Sequence, residues 1–505
     1  MEGAKMTKIL KKIQKLCTGR LILGLCVASI LSEAASASDL VRLAGRQWQM
    51  RIQGSVVKGR NAELMVPVEF KNGARGLMTS SVIIGGGRLG FLKAHPEILS
   101  IKPLLFSKAY VAKTKSPTHA LKLARSLLAE KSVRYAHPDF VFPVEARSTA
   151  GEWIATDPYF EAQWNLKNTG QRGATPGVDI GVEGAWAVSR GSPTTIVGVL
   201  DVGFEQNHKD LVDAWFINTR EIPGNKKDDD GNGLIDDVRG WNFSINGNNL
   251  IYGAGPNHGT ATAGVLGARS NDYGISGVCP ECKVLPVVVS GRVSEDASAI
   301  GYAVAMGASV LSNSWGYALE SPKTDVVSEA LTNAARRGRG GKGIPILFAM
   351  RNAGTDDCRA NAPDISAHPD VIAVSSIDFH DVKVPNSGYG KCLAFLGPSS
   401  GTNVNGIPST DRPGSAGYNT DGSNNFEDLD FHSAFWGTSA ATPQVAGLFA
   451  ILLSAEPNLT RDQALSRMKA SAIKANPEAA AYDPVTGHSL RYGYGRASGL
   501  RLFVQ

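Results

Sequence analysis

Cysteine, aromatic residues and long apolar runs are all scarce in this 505-residue chain, which has six cysteines and an aromatic share of 7%. Beyond the N-terminal segment no apolar run is expected to cross a membrane. The one closely spaced cysteine pair, Cys279-Pro-Glu-Cys282, has neither a second pair at zinc-ligand spacing nor a thioredoxin-like context, so a metal or redox centre there is disfavoured. No nucleic-acid-binding module is recognisable, and no nucleic-acid partner is expected. Arg336-Arg-Gly-Arg-Gly-Gly-Lys-Gly343 is a single short run, read as a flexible basic loop. Glycine and proline make up about a sixth of the chain but occur as scattered breakers, so many turns and no long disordered tract follow.

What is present starts with a leader. Lys8, Lys11, Lys12, Lys15 and Arg20 precede the apolar stretch Leu21 to Leu31 and the small-x-small run Ala35-Ser-Ala37, the three parts of an export signal with cleavage expected after Ala37. About eleven apolar residues form too short a helix for a hydrocarbon core of roughly 30 Å, which favours a cleaved signal over an anchor. Cys17 and Cys26 leave with residues 1–37, and the exported chain keeps Cys279, Cys282, Cys358 and Cys392. An even number in an oxidising compartment points to disulfides. Of the possible pairings, Cys279 with Cys282 and Cys358 with Cys392 is favoured, because the first is local and the second flanks two neighbouring loops. A secreted, periplasmic or extracellular monomer with no membrane span after signal cleavage is expected.

The net charge of +6 hides a division. Residues 1–150 hold 24 Lys or Arg against 9 acids, and residues 151–505 hold 28 against 37, so the two parts carry +15 and −9. Attraction between parts of one chain explains this more simply than an external anionic partner. Residues 38–150 read as a small α+β domain: strand-like Glu63 to Phe70 and Ser80 to Ile84, helical Thr118 to Glu130, then strand-like Val133 to Val144. They contain no cluster of catalytic residue types. In residues 151–505 the pattern changes to short β-branched runs, Thr195 to Asp201, Lys283 to Ser290, Ser309 to Trp315, Ile344 to Met350 and Asp370 to Asp378. Helical segments such as Ala297 to Met306 and Thr324 to Arg337 lie between them. This alternation predicts an α/β fold with a mainly parallel sheet covered on both faces, whose strands end at the active site.

Three segments carry the chemistry. Ile196-Val-Gly-Val-Leu200 runs directly into Asp201-Val-Gly203, which puts a partly desolvated carboxylate at the end of a buried strand, where it can orient a histidine. His258-Gly-Thr-Ala-Thr-Ala-Gly264 starts a helix whose small residues allow close packing. Gly437-Thr-Ser-Ala-Ala-Thr-Pro443 places Ser439 at a helix N-terminus, with Pro443 expected in the first turn. Helix N-termini favour negative charge, although a serine there can equally be a simple cap.

The order Asp, His, Ser in these contexts resembles the subtilisin-like serine proteases, or subtilases, on VLDVG, NHGTATAG and GTSAATPQVAG. The resemblance runs from about Asp157 to the end. It implies a three-layer catalytic domain over 151–505 and a serine endopeptidase working through an acyl-enzyme, with Asp201, His258 and Ser439 as its triad. Protein or peptide substrates would pair along Ser312-Asn-Ser-Trp-Gly316, with Ser314, Trp315 and Gly316 binding them. Asn352 would be the oxyanion donor. The family usually has Gly just before this Asn, whereas here Met350-Arg351 stands there; Arg351 either enters the adjoining pocket, narrowing it or favouring an acidic residue, or points to solvent. His208 is placed outside the active site, in a surface turn. Residues 38–150 resemble a subtilase propeptide that assists folding and blocks the cleft, through the helix Ala120 to Glu130 and the strand Val133-Arg-Tyr-Ala-His-Pro-Asp139. Self-cleavage would then fall between about Glu145 and Asp157. The extra β-domain of kexin-like convertases is not expected after the catalytic domain.

The stretch Lys227 to Asp237 reads as a structural calcium loop, with Asp228, Asp230, Asn232 and Asp236 as hard-oxygen ligands around Gly233. It is not a complete EF-hand, since Arg239 stands where the final acid belongs. A solvated acidic turn is the alternative. Two other readings stay open at this level: a protease fold without activity, and a calcium-dependent adhesion module.

Overall fold

A computed structural model describes residues 39–503 apart from 44–45, 59–63, 71–74, 104–108, 142–154, 252–254, 318–323, 360–363, 403–404 and 423–425. The expected signal at 1–37 and nearly all of the expected self-cleavage region lie outside the described residues. The chain divides into two compact units, Met1–Arg147 and Ser148–Gln505.

In the first unit, β1 (Asp39–Leu43), β2 (Arg46–Ile52), β3 (Val57–Lys58), β4 (Leu64–Phe70), β5 (Arg75–Gly86), β6 (Ser100–Pro103), β7 (Ala109–Lys113) and β8 (Val133–Val141) form one antiparallel sheet. A short helix, α1 (Leu89–Lys93), follows β5, and α2 (Pro117–Leu127) packs on the sheet. Ser116 caps α2, its side chain accepting from His119 N, and Pro117 starts the helix where a missing N–H costs nothing. Ala120, Leu123, Ala124 and Leu127 then meet Val82 and Ile84 of the long central strand in a single core.

The second unit is built on seven parallel strands in the order β10-β11-β9-β12-β13-β14-β15. They are β9 (Ile196–Asp201), β10 (Trp241–Asn242), β11 (Lys283–Val288), β12 (Ala308–Asn313), β13 (Ile346–Ala349), β14 (Ile372–Ile377) and β15 (Leu393–Pro398). A two-stranded antiparallel ribbon, β16 (Ile407–Thr410) with β17 (Phe431–Phe435), stands apart from the sheet. After the short α3 (Val182–Trp186), the main helices are α4 (Pro256–Gly267), α5 (Val293–Ala305), α6 (Asp325–Arg337) and α7 (Thr438–Ala455). Alternate side chains of each strand serve opposite faces. Val197, Val199, Val310 and Leu347 pack with α4 and α7, whereas Leu200, Leu311, Ile346 and Phe348 pack with α5 and α6. This accounts for the continuous apolar strand runs, and the three-layer α/β expectation holds.

Some local expectations do not. The helix α7 is long and apolar enough to cross a membrane, with 83% of its most apolar window buried in the protein, so its composition reflects burial within the core. The Arg336–Gly343 run is pinned: Arg339 donates to the carbonyls of Gly343, Pro457 and Leu459, and Lys342 reaches Asn458. Its charges satisfy carbonyls beyond the end of α7, which explains a basic cluster without any external partner.

Both favoured disulfides are formed, Cys279–Cys282 and Cys358–Cys392. The second joins residues 34 apart and anchors the loop after β13 to the start of β15. On the chain-entropy model such a closure is worth about 3–4 kcal/mol. Cys358→Ser combined with Cys392→Ser should therefore lower the unfolding free energy of the second unit by about that amount in denaturant titrations; an unchanged midpoint would show that the crosslink does not hold this loop.

Candidate active site

The strand β9 delivers its last residue, Asp201, fully buried at the carboxyl end of the sheet. Its carboxylate is satisfied by three donors. Val202 N and the His258 ring meet Oδ1 at 2.7 and 2.8 Å, and Thr262 Oγ1 reaches Oδ2 at 3.0 Å. His258 and Thr262 are four apart on α4, so one helix face supplies both contacts. That face comes close to β9 because Gly259 lies between them: a Cβ at Gly259 would sit 2.0 Å from the Gly203 carbonyl.

His258 occupies the first turn of α4, with Nδ1 on Asp201 and its ring edge-on to Phe435 at 5.6 Å. Burial opposes charging the imidazole, but attraction to Asp201 and the shared hydrogen bond outweigh it, and His258 titrates above its ordinary value. With Nδ1 turned to the carboxylate, Nε2 is the nitrogen left to exchange a proton.

Ser439 is the second residue of α7. It does not cap the helix; Gly437 holds that position with φ 82°, and a side chain there would press on the Asn352 amide. Pro443 lies beyond the first turn, a correction to the sequence expectation. Its missing N–H frees the Ser439 carbonyl, which accepts from Ser314 Oγ at 3.1 Å. Ser439 Oγ in turn donates to the Ser314 carbonyl at 3.4 Å, and His258 is not its partner. Ala261 and Val265 of α4 share a buried cluster with Ala440 of α7 and with Phe435, so His258 and Ser439 stand in the first turns of two helices that pack on each other.

Asn352 follows β13. Its Oδ1 accepts from Thr438 N and Thr438 Oγ1 at 3.0 and 3.1 Å, which leaves Nδ2 as a donor beside Gly437. Among the described residues neither Asn352 Nδ2 nor the Ser439 N–H has a hydrogen-bond acceptor. A cavity of about 270 Å³ opens beside them, lined by Ser439, Asn352, Ser314, Trp315, Gly316 and further residues of the β12 and β13 ends. Asp201, His258, Ser439 and Asn352 therefore all lie at the carboxyl edge of the sheet, and Ser314, Trp315 and Gly316 share the cavity with the last two. The Trp315 ring is fixed edge-on to Phe348 at 5.3 Å, with Nε1 donating to Asn313.

One residue is not where the sequence placed it, and one open alternative is resolved. His208 is fully buried and not in a surface turn. Its Nε2 donates to the Asp430 carbonyl and its Nδ1 accepts from Asp210 N, and burial lowers its pKa. Both nitrogens are committed, which leaves neither free to act as a base. Arg351 does not point to solvent; it lines the cavity with a side chain 15% exposed, held by Asp357 and Asp364.

In the acidic loop, Asp228 and Asp230 converge with Glu221, one ligand oxygen of each lying within 4.8 Å of the others. Glu221 escaped sequence reading because it precedes the loop, and only folding brings it back through its contacts with Asp229 N, Asp230 N and Asp236 N. Asp236, which accepts from Asn225 N and Lys226 N, is not part of that group of carboxylates, and Asn232 turns its Oδ1 to Leu234 N. One cation, Arg220, pairs with Asp230 at 2.9 Å. Three converging carboxylates against one guanidinium fit a hard divalent cation, whose oxygen ligands at 2.3–2.6 Å span such a separation.

Comparison with known proteins gives the same family. The Subtilase family model matches residues 192–495, 304 of the 505 residues. A calcium-dependent protease from Nostoc sp. is 32% identical over 400 residues, covering 75% of this chain and 55% of that protein. Kexin from Saccharomyces cerevisiae is 29% identical over 368 residues, 68% of this chain and 39% of kexin. The chain thus spans about half the length, or less, of these relatives. The crystal structure of the serine protease of Aeromonas sobria superposes with a TM-score of 0.57 at 19% identity, covering 71% of this chain and 70% of that one, which supports the fold. By its family match, its relatives and its fold, this chain belongs to the Subtilase family, whose members are serine endopeptidases.

Proposed function

We infer that the protein is an exported serine endopeptidase that hydrolyses peptide bonds through an acyl-enzyme and is made as a self-processed precursor. The Asp201–His258 pair carries this reading, because it provides an oriented base whose free nitrogen is available to a serine on the neighbouring helix. Ser439 Oγ leaves the Ser314 carbonyl and attacks the substrate carbonyl carbon, while His258 Nε2 takes its proton. The carbonyl oxygen becomes an alkoxide facing Asn352 Nδ2 and the Ser439 N–H, two donors with nothing else to satisfy. As the C–N bond breaks, His258 returns the proton to the leaving amine. Water then repeats the sequence on the ester and regenerates Ser439.

The first unit acts in this reading as a propeptide. Support comes from its separate core, from the absence of a catalytic cluster among its described residues, and from the charge division, in which residues 38–150 keep 18 Lys or Arg against 7 acids after the signal is gone, while residues 151–505 carry −9. Calcium, if bound, would be held by Glu221, Asp228 and Asp230 and would supply a structural crosslink between Glu221 and the loop that follows it. The name of the Nostoc relative is in keeping with such a site.

Three outcomes follow. Purified wild type should lose roughly its first 150 residues and digest casein, whereas Ser439→Ala should lose only the signal, keep residues 38–150 and lose about 10⁶-fold in turnover; two inactive proteins that both keep residues 38–150 would favour a binding role. Activity needs neutral imidazole, so a raised His258 pKa puts the acid limb of kcat/KM above pH 6.5. Asp201→Asn removes the attraction and leaves burial, which should move that limb below pH 6.5 and cost about 10⁴-fold in rate. Calcium at a hundredfold excess over its Kd should stabilise the protein by about 2.7 kcal/mol, read as a rise in Tm that a chelator reverses and Glu221→Gln abolishes. A Tm indifferent to chelator would leave the loop a solvated turn.

A further inference from the structure

The cavity beside Ser439 has a charged wall that comes from this chain alone. Asp357 and Asp364 are both shut off from water, their side chains 0% and 3% exposed. Asp357 Oδ2 accepts from Arg351 N and its Oδ1 from Thr355, while Asp364 Oδ1 accepts from Ser366 N. These neutral donors leave two negative charges to be balanced. Arg351 offsets one of them, Nε lying 3.1 Å from Asp364 Oδ2 and Nη1 3.7 Å from Asp357 Oδ1, ion-pair contacts in which neither buried nitrogen makes a directed hydrogen bond. A guanidinium thus sits beside two acids on the wall of the cavity that Ser439 and Asn352 also line.

We propose that Arg351 is a built-in counter-ion occupying the place a basic substrate side chain would otherwise take, so that the enzyme discriminates against Lys and Arg before the scissile bond and accepts uncharged side chains there. This rests on Ser439 being the nucleophile. One cation faces two carboxylates, so the wall has no spare positive charge for an acidic substrate. A second cation entering the cavity, which Arg351 and Asp364 both line, has to share Asp364 with a guanidinium already 3.1 Å from its Oδ2. An uncharged side chain disturbs neither. Removing Arg351 uncovers buried acids that gain from any cation able to reach them, and an entering Lys or Arg supplies one.

The test uses matched peptides carrying Leu, Glu, Lys or Arg at that one position. Wild type should cleave the Lys and Arg peptides at least about tenfold less efficiently than the Leu peptide. In Arg351→Ala the Lys or Arg to Leu ratio of kcat/KM should rise at least about tenfold, and adding Asp364→Asn should cancel the rise. If Arg351→Ala does not fold, Arg351→Ala with Asp357→Asn leaves one buried acid and carries the same expectation. Wild-type preference for Lys or Arg, wild-type preference for Glu, or an unchanged ratio in the variants would each overturn the proposal. Benzamidine binding, followed by calorimetry, separates this from the protease reading because it needs no turnover. Arg351→Ala should bind the amidinium at least about tenfold more tightly than wild type, and the double variant with Asp364→Asn should lose the gain. If no peptide is cut yet that pattern holds, the protease reading fails and the counter-ion stands.

Discussion

The second unit is organised around one buried carboxylate. Asp201 ends the strand β9, flanked by β11 and β12, where water does not reach it, and an ion in that position is tolerable only if donors converge on it. Val202 N comes with the strand, while Thr262 and His258 come from α4. Holding that helix against the strand requires the glycine at 259, and the same approach sets the ring of His258 at the carboxyl edge of the sheet. The folding requirement and the orientation of the imidazole are one geometric condition.

Ser439 is placed by a second compensation. A proline six residues into α7 leaves the Ser439 carbonyl without its helical donor, and the Ser314 hydroxyl fills the gap from the end of β12. The hydroxyl of Ser439 returns the contact to the Ser314 carbonyl. Helix start and strand end are thereby tied across the cavity, and the segment expected to pair with substrate is held against the serine. Met350 and Asn352 bind Thr438 on the other side of the same helix start. The first turn of α7 is thus fixed from both flanking strand ends, leaving the N–H of Ser439 without an acceptor.

Much of this was legible in the sequence, for identifiable reasons. The apolar strand runs gave the sheet because parallel strands are buried on both faces, and the boundaries moved by only a few residues, as from Ile344–Met350 to Ile346–Ala349. The three motifs were legible because each combines a chemical group with the local backbone that presents it. What was not legible depends on distant chain segments. The burial of His208 follows from a carbonyl at Asp430, 222 residues away. Glu221 joins Asp228 and Asp230 through backbone donors of a later loop, and the inward turn of Arg351 follows from acids on the segment beyond it. The short strand β15 was not among the runs read from the sequence; its Gly397 is needed because the backbone of Ala441 on α7 passes too close for a side chain.

The unit deals with its buried acids in two ways, and the difference separates the groups of the site. Asp201 is held by neutral donors and by an imidazole that can be neutral or charged, so a positive charge can appear beside it during proton transfer and disappear again. Asp357 and Asp364 share a guanidinium that is always charged; it offsets one acid, and burial together with the neighbouring Asp364 still pushes the Asp357 carboxyl above the usual carboxylate range. A titratable partner lets the charge beside a buried carboxylate come and go, whereas a permanent one keeps it in place. Had arginine stood at 258, the contact to Asp201 would have carried a permanent charge, and histidine at 351 would have made the second contact depend on pH. The type of cation, more than the number of acids, separates the two regions: the carboxylate in position to support a proton transfer is the one whose partner can lose its charge.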